Sequence, residues 1–291
     1  MPSGIIVIDK PSDWTSMDVC AKLRGRFHEK RVGHGGTLDP MATGVLPVFL
    51  GRATRAVTFA SESEKEYQFG LKLGVVTNTQ DVTGEIVRQT PFIGTAEDLL
   101  AVLPKFRGDI QQVPPMYSAI KINGQKLYDL ARKGREVERA PRPVTIHALE
   151  LEDRLGPDEF LLRVRCSKGT YVRTLCHDVG AALGCGGTLS ALRRTEAAGF
   201  GLDRAVRLED VQAAADRGEA ERLLLPVDAY FQDHPALTVG LREERAARNG
   251  AAFPWRGADG TDRVYGPAGD FLLLGELERG RMRTVKSFYE V

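Results

Sequence analysis

Cysteine is scarce in this sequence. Its 291 residues include four, Cys20, Cys166, Cys176 and Cys185. None stands in a CxxC pair and no histidine lies at zinc-finger spacing from them. Neither a structural zinc nor a disulfide framework is expected, and the thiols are read as reduced. Long hydrophobic runs are absent too. A stretch such as Val45–Leu50 falls far short of the roughly 20 apolar residues that span a bilayer. The first nine residues carry no basic flank, and Asp9 and Lys10 break their apolar run. No signal peptide or membrane association is read, so a cytoplasmic location is expected. No charge of one sign dominates: 40 Lys and Arg face 39 Asp and Glu, a formal net of +1. That excludes a uniformly basic tail or a histone-like wrapper but not a local nucleic-acid surface. The familiar cofactor signatures are missing as well. There is no GxxxxGKS/T phosphate loop, no GxGxxG after a strand, no HExxH and no GxSxG. The five histidines are too scattered to suggest a metal site.

What remains is an ordinary globular composition, 42% apolar and 27% charged, with ample material for a core. The length suggests one large domain or two unequal ones. Gly4–Asp9 reads as a buried strand, broken by the turn residues Lys10–Asp13. Ser16 reads as the cap of a helix reaching about His28. Tyr67, Phe69, Leu71 and Leu73 alternate, as do Leu162, Val164 and Cys166, with the period of half-buried strands. Residues 95–103, 170–183 and 208–225 read as helices, the second capped by Thr170 or Ser167, the third in two pieces near Gly218. Without a βαβ rhythm, the pattern predicts an α+β fold with a mixed, mainly antiparallel sheet. Prolines, glycines and short apolar runs after Leu225 suggest a small β-rich domain, with a boundary near residue 230.

Charge is uneven along the chain. Residues 105–145 and 163–194 each carry a net of +5. Two such blocks suit a phosphate-binding surface, although solvated faces are the plainer reading. Three segments carry candidate chemistry. The Gly33–Gly44 loop concentrates four glycines with His34 and Asp39. Glycines admit a ligand close to the backbone, Pro40 keeps Asp39 extended, and an ionised aspartate can act as a nucleophile. A simple Asp-Pro turn explains the same residues. Ser167–Thr174 follows a strand and opens a helix, where N–H groups and cations meet phosphates, or where a cap suffices. Pro114–Arg132 interleaves aromatics and cations, a pairing that stacks on bases, or a hairpin and helix with a basic face.

Taken together, Lys10-Pro11 with Thr15-Ser16, the Gly33–Gly44 loop, Lys65-Glu66-Tyr67, Pro114–Arg132, Ser167–Arg173 and Leu192-Arg193-Arg194 resemble the TruB family of tRNA pseudouridine synthases. They occur in family order over roughly residues 4–200. The resemblance implies a cofactor-free, metal-free isomerisation of uridine 55 in the TΨC loop of tRNA after base flipping. It implies that Asp39 is the catalytic aspartate, attacking either the ribose C1′ or the uracil C6. Tyr67 is implied as the residue stacked on the base, and Arg173 as the arginine that keeps the catalytic carboxylate ionised. Tyr171 and Leu192 are implied to line the uracil pocket and His34 to contact substrate. Lys10, Lys121, Lys126, Arg132, Lys133, Lys168 and Arg193 are implied RNA contacts. The implied domains are a synthase domain over 1–230, with a thumb-like insertion over 115–143 that is mobile without tRNA, and a PUA-like RNA-binding domain over 231–291 that touches the acceptor arm. No obligatory protein partner is implied. Asp13 stands where the family commonly has glycine, and Asp tolerates a left-handed turn better than most residues. A non-catalytic RNA-binding module, or a synthase acting on other RNA, are the alternatives.

Overall fold

The computed structural model describes residues 2–122 and 124–290. Met1, and Asn123 inside the Pro114–Arg132 segment, lie outside the described residues. Chain contacts divide the protein into two compact units. One comprises residues 1–40, 44–61 and 198–291, the other residues 41–43 and 62–197.

The first unit opens with β1 (Gly4–Lys10), α1 (Ser16–Phe27), β2 (Val32–His34) and β3 (Thr43–Leu50). β1 is buried at almost every position, as its unbroken apolar run requires. β3 pairs antiparallel with β1, from Gly4 against Leu50 to Lys10 against Gly44, and with β2. α1 sets Val19, Cys20, Leu23 and Phe27 against Ile6, Ile8, Leu46 and Val48 in one core. The cap of α1 is Thr15, not Ser16. The Thr15 hydroxyl accepts the Asp18 N–H at 3.1 Å, and the Asp18 carboxylate accepts the Thr15 N–H at 2.9 Å. Ser16 is instead buried and bonded to Leu38. Asp13 adopts a left-handed conformation, with φ of 65°, which Asp tolerates better than most residues. A 3-10 turn (Gly51–Ala56) leads into α2 (Val57–Glu62).

The second unit holds β4 (Lys65–Leu73), β5 (Val75–Thr77), β6 (Ile86–Gln89), α3 (Ala96–Val102), β7 (Gly108–Gln112), β8 (Lys121–Ile122), β9 (Gln125–Lys126), α4 (Leu127–Ala131), β10 (Arg142–Arg154), β11 (Glu159–Cys166), α5 (Val172–Ala182) and β12 (Gly187–Ala197). Its main sheet runs β12-β4-β11-β10-β7, antiparallel at each step. Tyr67, Phe69, Leu71 and Leu73 are buried, as are Leu162, Val164 and Cys166, while Arg163 and Arg165 point out. α5 lies backbone-to-backbone on β12: a Cβ on Gly180 would sit 2.1 Å from the Gly187 nitrogen. Neither Thr170 nor Ser167 caps α5. Tyr171 is the N-cap residue, without a side-chain cap, and the Thr170 hydroxyl donates to Ser167 O instead.

The remainder of the first unit contains β13 (Phe200–Gly201), α6 (Leu208–Asp216), β14 (Ala236–Thr238), α7 (Leu241–Arg248), β15 (Phe253–Pro254), β16 (Gly260–Tyr265), β17 (Phe271–Glu278) and β18 (Arg281–Ser287). The last five strands form a sheet ordered β14-β16-β17-β18-β15, parallel only at β14–β16. Phe231 joins this sheet to the N-terminal core: its ring meets those of Phe59, Phe271 and Phe288 within 5.5–6.1 Å. The protein is α+β, with mainly antiparallel sheets and a small β-rich C-terminal part.

Candidate active site

Asp39 lies in the turn between β2 and β3, half-buried. Its two neighbours are fixed. The Ser16 hydroxyl accepts the Leu38 N–H at 2.9 Å. The Pro40 carbonyl accepts the Asp13 N–H at 2.9 Å and the Lys10 ammonium at 3.1 Å. The carboxylate is therefore hung between two anchored peptide groups. Gly35 makes the turn fit, since a Cβ there would stand 2.9 Å from the Ala60 Cβ and 3.2 Å from the Phe49 ring. His34 Nδ1 accepts the Gly36 N–H at 3.4 Å.

Lys10 departs from its expected role as an RNA contact. It is fully buried, and its ammonium donates to the carbonyls of Pro11, Trp14 and Pro40 at 2.8, 2.6 and 3.1 Å. All three donors of the amine have acceptors in the fold. A buried charge so satisfied holds the Asp39 turn and presents nothing to phosphate.

In the second unit, Tyr67 faces Val164 across one strand pairing and Arg194 across the other. Two residues on, Phe69 likewise faces Leu162 and Leu192. Cross-strand partners share a face, so Tyr67, Leu192 and Arg194 belong to one surface of the sheet. Tyr67 and Leu192 are nearly buried and Arg194 is wholly so. At the end of the same strand, burial and then the nearby Arg194 cation push the Lys65 amine down to about 8.

Arg173 leaves the first turn of α5 and is buried. Its guanidinium donates to Thr79 O at 3.1 Å and Tyr117 O at 2.8 Å, and lies 3.8 Å from Asp81 Oδ2. Asp81 is the residue that sequence reasoning missed. Its other oxygen accepts the Thr83 N–H at 3.0 Å and the hydroxyls of Thr79 and Thr83. Those donors orient the carboxylate and leave Oδ2 toward the guanidinium. Backbone bonds from Leu189 to Gln80 and from Val82 to Leu189 pin the loop to β12. The signal was present in Thr79-Gln80-Asp81-Val82-Thr83-Gly84: an Asp between hydroxyls at two-residue spacing is Asx-turn chemistry. Tyr171 is held by Gln112, whose side-chain amide bonds both its N–H and its C=O.

The remaining cationic candidates divide. Lys121, Arg132 and Lys133 are exposed. Lys126 donates to the Tyr128 hydroxyl at 3.0 Å, and Arg132 lies over the same ring. Lys168 is ion-paired with Glu62, and Arg193 donates to the Thr43 hydroxyl at 3.3 Å. Among the described residues no group of three or more His, Cys, Asp or Glu could hold a metal ion, and no helix is long and apolar enough to cross a membrane.

Residues 24–172 match the family described as TruB family pseudouridylate synthase (N terminal domain), and residues 173–232 match the tRNA pseudouridylate synthase B C-terminal domain. The chain belongs to the TruB family. The tRNA pseudouridine synthase B of Pseudomonas fluorescens is 45% identical over 288 residues, covering 96% of this chain and 93% of that one. That of Bradyrhizobium diazoefficiens is 42% identical over 288 residues, covering 96% and 84%. A crystal structure of a Cbf5–Nop10–Gar1 complex superposes with a TM-score of 0.75 at 26% identity, covering 98% of this chain and 85% of that one. Asp39, Tyr67, Asp81 and Gln112 fall in the first TruB match, Arg173 and Leu192 in the second.

Proposed function

We propose that this TruB family chain isomerises uridine 55 in the TΨC loop of tRNA to pseudouridine. The observation that carries the reading is the Asp39 carboxylate, half-buried and suspended between the anchored Leu38 and Pro40 peptides. A turn that served only to reverse the chain needs no such fixing. The reaction breaks the bond from N1 to C1′, turns the uracil and joins C5 to C1′. C5 loses a proton and N1 gains one, so substrate and product have the same formula and no redox partner is consumed. Asp39 supplies the nucleophile, at C1′ or C6. Tyr67 stacks on the everted base, with Tyr171 and Leu192 lining its pocket. Eversion costs a few kcal/mol, met by contacts to the shape and phosphates of the RNA loop.

In this reading residues 115–143 form a thumb over the T-loop. Residues 231–291 act as a PUA-like domain on the acceptor arm, and the enzyme works in the cytoplasm without an obligatory protein partner. The test is Asp39→Asn on unmodified tRNA, with pseudouridine mapped along the transcript. The expected result is no pseudouridine at position 55 with tRNA affinity kept within about threefold, under roughly 1 kcal/mol. Substantial turnover by the folded variant overturns the nucleophile.

A further inference from the structure

Gln112 closes β7 and is 1% exposed. Burying a primary amide demands partners for both its ends, and here both are on one residue. Oε1 accepts the Tyr171 N–H at 3.0 Å, and Nε2 donates to Tyr171 O at 3.3 Å. A side chain thus makes the two-bond exchange that a neighbouring strand makes in an antiparallel sheet. Tyr171 is the N-cap residue of α5, extended at φ −103° and ψ 109°, and has no cap of its own. Its carbonyl also accepts the first helical bond, from the Leu175 N–H at 3.0 Å. The amide of Gln112 therefore fixes the peptide plane from which α5 starts, across 59 residues of sequence.

Two consequences meet at that plane. The Tyr171 side chain projects from the clamped residue itself. Arg173 projects from the first turn that follows it, toward Asp81, Thr79 O and Tyr117 O. The chain leaving Gln112 runs through buried Pro114, Pro115 and Met116 to that same Tyr117 carbonyl. Gln112 and Arg173 accordingly hold the base of the Pro114–Arg132 segment from both sides. No shorter or simpler side chain does this: Glu lacks the donor, Leu lacks both groups, and Asn is one methylene short.

We propose that Gln112 is a positioning residue for the isomerisation, acting through Tyr171 and Arg173 by clamping the start of α5. The proposal rests on the functional reading above. Misplacing a catalytic constellation by about 1 Å costs on the order of a hundredfold in rate. Binding, spread over many phosphate contacts, is far less sensitive.

The experiment compares the wild-type chain with Gln112→Glu and Gln112→Leu. It reads the single-turnover rate at saturating tRNA, the tRNA Kd, the thermal midpoint, and amide exchange over residues 168–176. Expected are a rate loss of about tenfold to a hundredfold in both variants, a Kd within about threefold, and faster exchange at Tyr171. Gln112→Glu, nearly isosteric, carries the test if the leucine variant does not fold. Folded variants with rates within twofold of wild type overturn the proposal. So does a rate loss matched by equal losses of tRNA affinity and thermal stability. A wild-type chain that makes no pseudouridine overturns the functional reading itself, whereas an active wild type with unaffected variants overturns the clamp alone.

Discussion

Lys10 and Lys65 show two outcomes of burying an amine. Lys10 is fully buried with three carbonyl acceptors. Lys65 is also buried and donates to Ser63 O at 2.5 Å; its burial and then the nearby Arg194 cation lower its pKa to about 8. An unfolded lysine titrates near 10.4. Well below pH 8 both states hold the proton and the destabilisation is complete. Between about 8 and 10.4 the unfolded chain binds more protons, so the Lys65 contribution to stability rises with pH. Lys65→Met removes that dependence. Its stability relative to wild type should therefore fall, by about 1 kcal/mol per pH unit, as pH rises from 8 to 9.5 in urea titrations. A difference that stays flat over that range refutes the depressed pKa. The sequence disclosed neither burial. A cation after an apolar run reads as a surface group, and the carbonyls that swallow Lys10 come from a turn 30 residues away. The Asp81 turn carried a local signal, but its pairing with Arg173 was hidden for the same reason, because that partner is far along the chain. Asp13 was legible because its left-handed conformation is a local property.

Elements were readable where their signals were local and regular. β4 and β11 alternate without interruption, and the structure places their apolar faces as the pattern predicts. β10 and β12 gave no such signal although both are longer. Each carries two register shifts, between Ile146/Ala148 and Leu151/Asp153 and between Leu189/Ala191 and Arg194/Glu196, and a bulge breaks the period of two. Helix starts follow the same division. Thr95 sits in a reciprocal capping box with Asp98, as its local sequence suggests, and the α1 box of Thr15 and Asp18 lies one residue before the expected Ser16 cap. α5 begins under an amide supplied from β7, which no window around residue 170 contains. The neighbours Thr15 and Ser16 therefore make separable predictions. Thr15→Ala loses a cap worth about 1 kcal/mol. It should lower the urea midpoint accordingly while leaving the rate of the folded protein near wild type. Ser16→Ala releases the Leu38 peptide beside Asp39, so the rate should fall further than stability does. Equal effects of the two substitutions on rate would show that Ser16 is only a helix residue.

Over the whole molecule charge nearly cancels, and the two basic blocks at residues 105–145 and 163–194 have the same net of +5. Folding makes them unequal. In the second block Arg163 pairs with Glu152, Arg165 with Glu64, Lys168 with Glu62, and Arg173 lies buried against Asp81. None of those carboxylates falls inside the block, which is why a count along the sequence leaves it positive. In the first block Lys121, Arg132, Lys133 and Arg135 are exposed, and Lys126 and Arg132 flank the Tyr128 ring at 5.1 and 5.5 Å. That segment keeps cations exposed to solvent, and it, not the second block, is the one proposed to meet phosphate. Each neutralised phosphate contributes roughly 0.7 to 0.9 to the slope of log affinity against log salt. Arg132→Ala and Lys133→Ala should each reduce that slope for tRNA by about one such step. Arg165→Ala, whose cation is already engaged by Glu64, should leave it unchanged. Titrations between about 50 and 200 mM salt resolve the difference, because several contacts shift affinity by orders of magnitude over that range. If Arg165→Ala flattens the slope and the Arg132 and Lys133 substitutions do not, the RNA surface lies on the second block and the ion pairs open to receive it.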